Sequence, residues 1–202
     1  MKRTSTDAEY LDSGKLVIDA DGIPLEPAPK SYVDQRVPIG SFAGTGSPEG
    51  KVAAPVGSVY TDTAATNGAI RWIKTSGTGT TGWAVEYGDT GWRDISGDAQ
   101  LDILDIETGG HVRIRRTERF VEYSFKLVKA KKAGNVYSVP LGFRSPEGET
   151  VNAYQAGFFL VSTYWLAIFG VSAGAVIGGD REFILRLRAG IGWPTTLPGT
   201  PA

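Results

Sequence analysis

Residues 44–95 alternate short apolar runs with turns rich in glycine, and this pattern restricts the fold more than any other feature of the sequence. The turn at 65–68 ends in Asn-Gly, a pair that tolerates the positive φ of a tight hairpin. The pattern predicts three short strands bounded by turn residues, at 59–61, 69–74 and 83–87. The stretch is therefore expected to form a small antiparallel β unit.

The core of this β unit would be small and rich in tryptophan. It would consist of Trp72, Trp83 and Trp92 with a few aliphatic side chains. In the strand at 69–74, Ile70 and Trp72 are expected to share one face, because side chains alternate along a strand. A unit of this size buries only ~60% of its chain surface. We therefore expect neighbouring segments or further copies of the chain to complete it.

The composition favours short strands and turns over helices. The 202 residues include 27 glycines and 11 prolines, with many threonines and serines. The 21 basic and 22 acidic residues nearly cancel, and this balance gives no sign of a polyanion-binding protein. The absence of cysteine excludes disulfides and thiolate metal sites, and the one histidine, His111, excludes a multi-histidine zinc site within one chain. An all-β fold is the prediction.

Residues 1–40 are predicted to be an arm that becomes ordered on docking to a larger assembly. The segment is polar and proline-rich, and its start lacks the apolar region of a signal peptide. A short helix is predicted at 29–37, although a semi-ordered arm and a plain surface turn remain alternatives. The apolar residues available for attachment and self-association are Leu16, Ile18, Tyr32, Val33 and Val37.

The chain after residue 97 is predicted to form a second β domain. Residues 98–107 fit either a strand or a helix, and their acidic side chains are interpreted as a solvated face and not as a cation site. Strands at 111–116 and 119–128 form a predicted hairpin, and 182–188 alternates in the same way. The side chains expected to point inward are Val121, Tyr123, Phe125, Leu127, Phe183, Leu185 and Leu187. Short strands at this spacing predict a β-sandwich.

One segment could contradict an all-β fold. Residues 156–179 carry no charge and are long enough to span a bilayer as a helix. Several glycines and the pair Ser162-Thr163 interrupt the segment, so two or three buried strands with tight turns fit equally well. A lone spanning helix would split the sheet formed by the alternating strands on either side. We therefore favour buried strands.

Residues 44–96 resemble a module in tail-fibre and minor tail proteins of phages that infect Gram-positive hosts, especially actinobacteria. The resemblance is carried by the spaced Trp-Gly pairs and by the run TDTAATNGA within GSVYTDTAATNGAIRWIKTSGTGTTGW. It implies a trimeric virion protein and leaves open which part of the virion holds it.

The C-terminal half resembles receptor-binding and minor tail proteins of the same phages. Those proteins have a hairpin of the form xIRRxGxxVxxxF, a turn LPxGFRP and an end near WPTTLPGT. The corresponding segments here are VRIRRTERFVEYSF, VPLGFRS and GWPTTLPGTPA. This chain departs from the pattern at 117–119, where a turn with glycine is expected, and at Ser145 before Pro146. The resemblance implies a C-terminal β-sandwich, which we expect to be jelly-roll-like.

Three tryptophans are candidates for surface contacts with a glycan or with further copies of the chain. The rings of Trp83, Trp92 and Trp193 can stack on sugar rings. Packing in a core or between subunits fits each of them at least as well. The sequence leaves the two interpretations open.

Arg113, Arg115, Arg116 and Arg119 form a local basic cluster. It could bind an anionic cell-wall polymer, although a solvated strand face is the simpler interpretation. The carboxylates that a glycosidase would need in a pair are too scattered to predict one. These are Asp89, Asp94, Asp180 and Glu182.

These features predict a non-enzymatic virion structural protein with an attachment arm (1–40), a Trp-rich β module (41–97) and a C-terminal β-sandwich (98–202). It would be a homotrimeric tail fibre or receptor-binding appendage that recognises the host surface. A head fibre or capsid decoration protein is the alternative, favoured by the short chain, and a cell-wall hydrolase is a third, less favoured class. The expected partners are further copies, other virion proteins and a host cell-wall glycopolymer, with no nucleic acid, membrane, metal or cofactor.

Overall fold

The computed structural model describes residues 39–146, 149–152, 157–161, 164–190 and 192–202, and also the strand positions 17–18 and 24–25. The chain divides into two compact units, Met1–Pro38 and Ile39–Ala202. In the first unit, strand β1 (Val17–Ile18) pairs antiparallel with β2 (Pro24–Leu25). Of the predicted attachment residues, Ile18 belongs to β1. Outside the described residues lie the predicted helix at 29–37 and Leu16, Tyr32, Val33 and Val37.

The second unit begins with a four-stranded sheet, here called the small sheet. Its strands follow chain order, and the first pair is parallel while the other pairs are antiparallel. They are β3 (Ser41–Gly44), β4 (Val59–Asp62), β5 (Ala69–Lys74) and β6 (Trp83–Gly88). All three strands predicted at 59–87 are therefore confirmed.

The turn between β4 and β5 uses the predicted Asn-Gly pair, but it is longer than a two-residue hairpin. Asn67 and Gly68 have φ values of 52° and 80° within a short 3₁₀ turn, Thr66–Gly68. A Cβ on Gly68 would lie 1.8 Å from the carbonyl oxygen of Asp89, so only glycine fits there. The Asp62 carboxylate accepts amide hydrogen bonds from Gly46, Ala64 and Thr66, each 2.9 Å long.

Five residues form the buried core of the small sheet: Ala54, Tyr60, Ala69, Trp72 and Trp83. The expectation that Ile70 and Trp72 share a face is wrong. The pairing of β5 with β6 shifts register on both sides of Arg71, and Ile70 is left exposed while Trp72 is buried. A β-bulge of this kind interrupts the alternation that the sequence pattern assumes.

A buried lysine holds the glycine-rich loop at 76–82 against the small sheet. Lys74 is 1% exposed, and its ammonium group donates hydrogen bonds to the carbonyls of Gly79, at 2.6 Å, and Thr81. The ammonium also lies 5.6 Å from the ring centre of Trp83. Polar backbone groups of the loop therefore surround a charge that would otherwise be costly to bury.

A six-stranded sheet, the large sheet, forms the centre of the unit. It is built on a long antiparallel hairpin of β8 (Leu104–Thr117) and β9 (Phe120–Ala130). The other strands are β7 (Arg93–Asp94) beside β8, β16 (Thr200–Pro201) beside β7, and β14 (Val176–Gly178) and β15 (Phe183–Arg188), which both pair with β9. The predicted hairpin and the predicted strand at 182–188 are confirmed. Residues 104–107 belong to β8, and residues 98–103 form the turn that precedes it.

The remaining strands form a second sheet in the order β10, β13, β12, β11. They are β10 (Gly134–Ser138), β11 (Glu149–Asn152), β12 (Phe158–Val161) and β13 (Trp165–Phe169), all antiparallel to their neighbours. The described part of 156–179 contains β12, β13 and β14, as the strand interpretation predicted. These strands are not buried throughout, since Trp165, Phe169 and Val176 are exposed. No helix among the described residues is long and apolar enough to cross a membrane.

One hydrophobic core receives side chains from both the large and the second sheet. Phe125 of β9 stacks on Phe159 of β12 with 4.9 Å between ring centres. The inward prediction holds for Val121, Tyr123 and Phe125, which are all buried. It is wrong for Leu127, which is only half-buried and has a φ of 51°. Four residues of β8 stand opposite Leu127 at a bulge, so Val128 takes the buried position.

Candidate functional surface

The hairpin of the large sheet has a polar face turned away from the core, here called the outer face. On β8, Val112 and Ile114 are fully buried in the core, so the residues that alternate with them belong to the outer face. These residues are His111, Arg113 and Arg115. The register places them opposite Lys126, Ser124 and Glu122 of β9, in that order.

Trp92 and Arg115 form one group on the outer face together with Asp89. The Arg115 guanidinium binds the Asp89 carboxylate with two hydrogen bonds, one of them 2.9 Å long from Nε to Oδ1. It also lies 5.8 Å from the centre of the half-buried Trp92 ring. The hydrogen bonds from Arg115 hold the pKa of Asp89 below its ordinary value. The ion pair fixes Arg115, whose guanidinium lies near the Trp92 ring. The prediction that Trp92 belongs to the core of the small β unit is wrong, because that core contains Trp72 and Trp83 but not Trp92.

His111 forms a second group with Ser124 and Glu182. Ser124 Oγ lies 3.3 Å from Nε2 of His111, and Glu182 Oε1 lies 3.2 Å from the same nitrogen. A catalytic triad needs the acid on one ring nitrogen and the serine on the other. Since both partners meet one nitrogen and Ser124 is only 1% exposed, this serine is not activated as a nucleophile.

Arg113 lies between these two groups and is half-buried. It stands opposite Asp94 of β7 on one side and Ser124 on the other. Its Nε is buried without a hydrogen-bond partner in the described structure. Burial and the charge of Arg113 lower the pKa of His111, against an opposing effect of Glu182.

Arg116, which the sequence placed in the same basic cluster, lies on the opposite face of β8 and is 2% exposed. Its guanidinium donates hydrogen bonds to the carbonyls of Glu118, Gly142, Gly190 and Gly192. Burial lowers the pKa of Arg116 to about 10, so the group stays charged at neutral pH. The predicted solvated cluster is wrong for this residue, which instead connects β8 to two loops.

The remaining predicted tryptophans pack against the small sheet. Trp83 is 5% exposed and donates a hydrogen bond from Nε1 to the Val52 carbonyl at 2.9 Å. Of the two interpretations left open for this residue, the structure therefore supports packing in a core. Trp193 packs on the same core and donates from Nε1 to the Asn67 carbonyl at 3.0 Å. The Arg116 guanidinium lies 5.0 Å from the Trp193 ring centre.

Sequence reasoning did not select the arginines of β15. Arg186 lies 4.0 Å from the ring centre of Phe120 and 3.5 Å from the Glu122 carboxylate. Arg188 pairs with Phe120 in the register of the sheet and is exposed. The alternation of 182–188 placed both arginines on the face of the strand that points away from the core. The sequence therefore indicated that both side chains are exposed.

Three of the four acidic residues at 98–107, namely Asp102, Asp105 and Glu107, lie beside lysines. Asp102 lies 3.1 Å from Lys132, and Glu107 forms an ion pair with Lys129. In the part of the chain that the structure describes, no group of three potential ligands could hold a metal ion.

Comparisons with protein-family models, with curated proteins and with solved structures return no match to this chain.

Proposed function

We propose that this chain is a non-enzymatic structural protein of a phage virion, and that it acts as a tail fibre or receptor-binding appendage. Its segments resemble tail-fibre and minor tail proteins, and its second unit is built from several small β-sheets. The N-terminal arm would attach it to other virion proteins, and the large and second sheets would form a jelly-roll-like sandwich. The outer face would contact the host cell surface.

The observation that best supports a binding function is the rigid group of Trp92, Arg115 and Asp89. Two hydrogen bonds hold Arg115 to Asp89, and the guanidinium lies over the Trp92 ring, before any partner binds. A preorganised surface loses less entropy on binding than a mobile one. The serine and histidine on the same face lack the geometry of a hydrolase, which further favours binding over catalysis.

The homotrimer is supported by the resemblance and by the thin core of the small sheet. Sedimentation equilibrium of the full chain should give three times the monomer mass of 21.5 kDa. A monomeric mass at micromolar concentration would contradict a self-sufficient trimer.

The location is tested by immunogold labelling of intact virions with an antibody against residues 98–202. Gold at the tail tip is the expected result. In a separate assay, the isolated protein is expected to bind host cell walls. A Trp92→Ala variant should bind those walls more weakly, while the exposed Leu101→Ala serves as the control. Gold over the head would favour the head-fibre alternative, and absence of gold from virions would overturn the proposal. Release of reducing sugar from the walls would contradict the non-enzymatic assignment.

A further inference from the structure

The two ends of the β8–β9 hairpin carry different charge. At the end where β8 begins, lysines and carboxylates neutralise one another. Glu107 pairs with Lys129, Asp105 lies 3.9 Å from Lys131, and Asp102 lies 3.1 Å from Lys132. Exposed cations at this end therefore have a carboxylate beside them.

At the turn of the hairpin, three arginines surround Phe120. Arg119 and Arg188 are exposed, and no carboxylate of the described residues forms an ion pair with either. Their backbones are adjacent, since the Ala189 amide donates to the Arg119 carbonyl at 2.7 Å. Arg186 lies over the Phe120 ring and is 3.5 Å from Glu122. We call these three arginines the turn cluster.

The buried Arg116 adds to the positive charge beneath the turn cluster. Its hydrogen-bond acceptors are four backbone carbonyls, which satisfy its donors but carry no net charge. Among the described carboxylates, Glu118 of the turn is exposed and Glu122 is mostly buried. The net charge of the whole chain, −1, therefore hides a local excess of positive charge at this end of the sheet.

We propose that the turn cluster binds the phosphate groups of an anionic cell-wall polymer. This inference rests on the proposed function and specifies its partner. A guanidinium presents a planar fork that matches the oxygens of phosphate and carboxylate. Alternate residues of a strand are about 6.7 Å apart, so Arg186 and Arg188 meet successive charges of an extended polymer.

The same surface fits single-stranded nucleic acid poorly. Proteins that bind such strands stack the bases on open aromatic rings. The ring available at the turn cluster is Phe120, and Arg186 covers it at 4.0 Å. A polymer without aromatic bases therefore matches the cluster better than a nucleic acid does.

The test is a binding titration of the full chain with a fluorescent glycerol-phosphate oligomer at about 50 mM salt, where screening is weak. An Arg119→Gln/Arg188→Gln variant is expected to bind about 25-fold more weakly, at about fivefold for each arginine. A Lys131→Gln/Lys132→Gln variant has the same change in net charge and should bind like the original protein. Neutral dextran should not bind.

Three results would overturn the inference: equal losses in both variants, no loss in either, or tighter binding of a single-stranded DNA oligomer. Both arginines are exposed, so thermal unfolding should be unchanged. If the double variant does not fold, the single variant Arg188→Gln tests the charge and should bind about fivefold more weakly. If gold labels the tail tip but polymer binding does not depend on the arginines, this inference alone is rejected. If binding depends on the arginines but the protein is absent from the virion, the proposed function alone is rejected.

Discussion

The small sheet and the two larger sheets are stabilised in different ways. The large and second sheets share a core of fully buried side chains such as Tyr123, Phe125 and Leu166. The hydrophobic core of the small sheet has five buried residues, two of which are alanines. It relies in addition on polar groups, above all the Lys74 ammonium in its loop.

The small sheet also depends on a residue far away in the sequence. Trp193 packs against its core and binds the Asn67 carbonyl, while Asn67 Nδ2 donates to the Thr195 carbonyl at 2.6 Å. The C-terminal segment then continues to β16, which pairs with β7 of the large sheet. The comparison shows that a unit too small to bury enough apolar surface borrows side chains from its neighbours.

The largest expected effect is a difference in the free energy of unfolding lost when one aromatic residue is removed from each core. Phe125→Ala should lower the free energy of unfolding by about 4 kcal/mol, because it leaves a cavity beside Phe159 in a core that cannot collapse. Phe42→Ala removes a partly buried ring from the small sheet and should cost about 1 kcal/mol. Urea unfolding followed by tryptophan fluorescence measures both. Equal losses would show that the two cores are not different in kind.

Next in size is the loss of the Arg116 hydrogen bonds. Arg116→Met should lower the free energy of unfolding by about 3 kcal/mol, because it leaves buried carbonyls without donors. Arg119→Met is a matched control on the exposed turn and should change stability by less than about 0.5 kcal/mol. A similar small change for Arg116→Met would mean that water replaces its guanidinium without cost.

A third substitution tests whether the small sheet depends on the C-terminal segment. Trp193→Ala should expose the small core and weaken protection of its amides by about 2 kcal/mol, as measured by hydrogen exchange in β5 and β6. Amides of the β8–β9 hairpin should keep their protection. Trp193→Phe retains a ring and should lose less. Uniform loss across both regions would show that they unfold as one unit.

The smallest effect concerns pH and belongs to the outer face. The His111 ring is faced by Arg113 on its own strand, Lys126 on β9, Asp94 on β7 and Glu182 before β15. Its pKa is lowered in the folded protein, so the unfolded state binds the proton first as the pH falls below about 6.5. Stability contributed by neutral His111 is therefore complete above that pH and is lost progressively below it.

The measurement is urea unfolding at several pH values between 7.5 and 5. A His111→Gln variant cannot titrate there and should lose less stability over this range than the original protein. Asp89, with its lowered pKa, titrates at lower pH and does not interfere. If the free energy of unfolding falls equally with pH in both proteins, His111 is not the group that causes the loss of stability.

Much of the local structure follows from the sequence alone. Alternation predicted the β8–β9 hairpin, the strand β15 and the inward positions of Val121, Tyr123 and Phe125. It also favoured strands over a spanning helix at 156–179. These predictions succeed because alternation of side chains is a property of the strand itself and needs no knowledge of its partners.

The sequence also carried signals that its interpretation did not use. Arg116 continues the alternation of the buried Val112 and Ile114, which places it on the core face. Four arginines within residues 113–119 nevertheless suggest a solvated cluster when charge alone is considered. The buried position becomes plausible only when the four carbonyls that receive its donors are known, and these come from three separate segments.

Only the tertiary structure decided the bulges and the long-range contacts. Ile70 and Leu127 lie off their expected faces because each is next to a β-bulge, where one strand has more residues than its partner between two paired positions. The sequence of one strand does not specify where its partner will bulge. The positions of Trp83 and Trp193 in one core, and of Glu182 beside His111, join residues distant in sequence. Sequence therefore determined where strands form and which way most side chains point, while packing between distant segments decided which polar and aromatic groups meet.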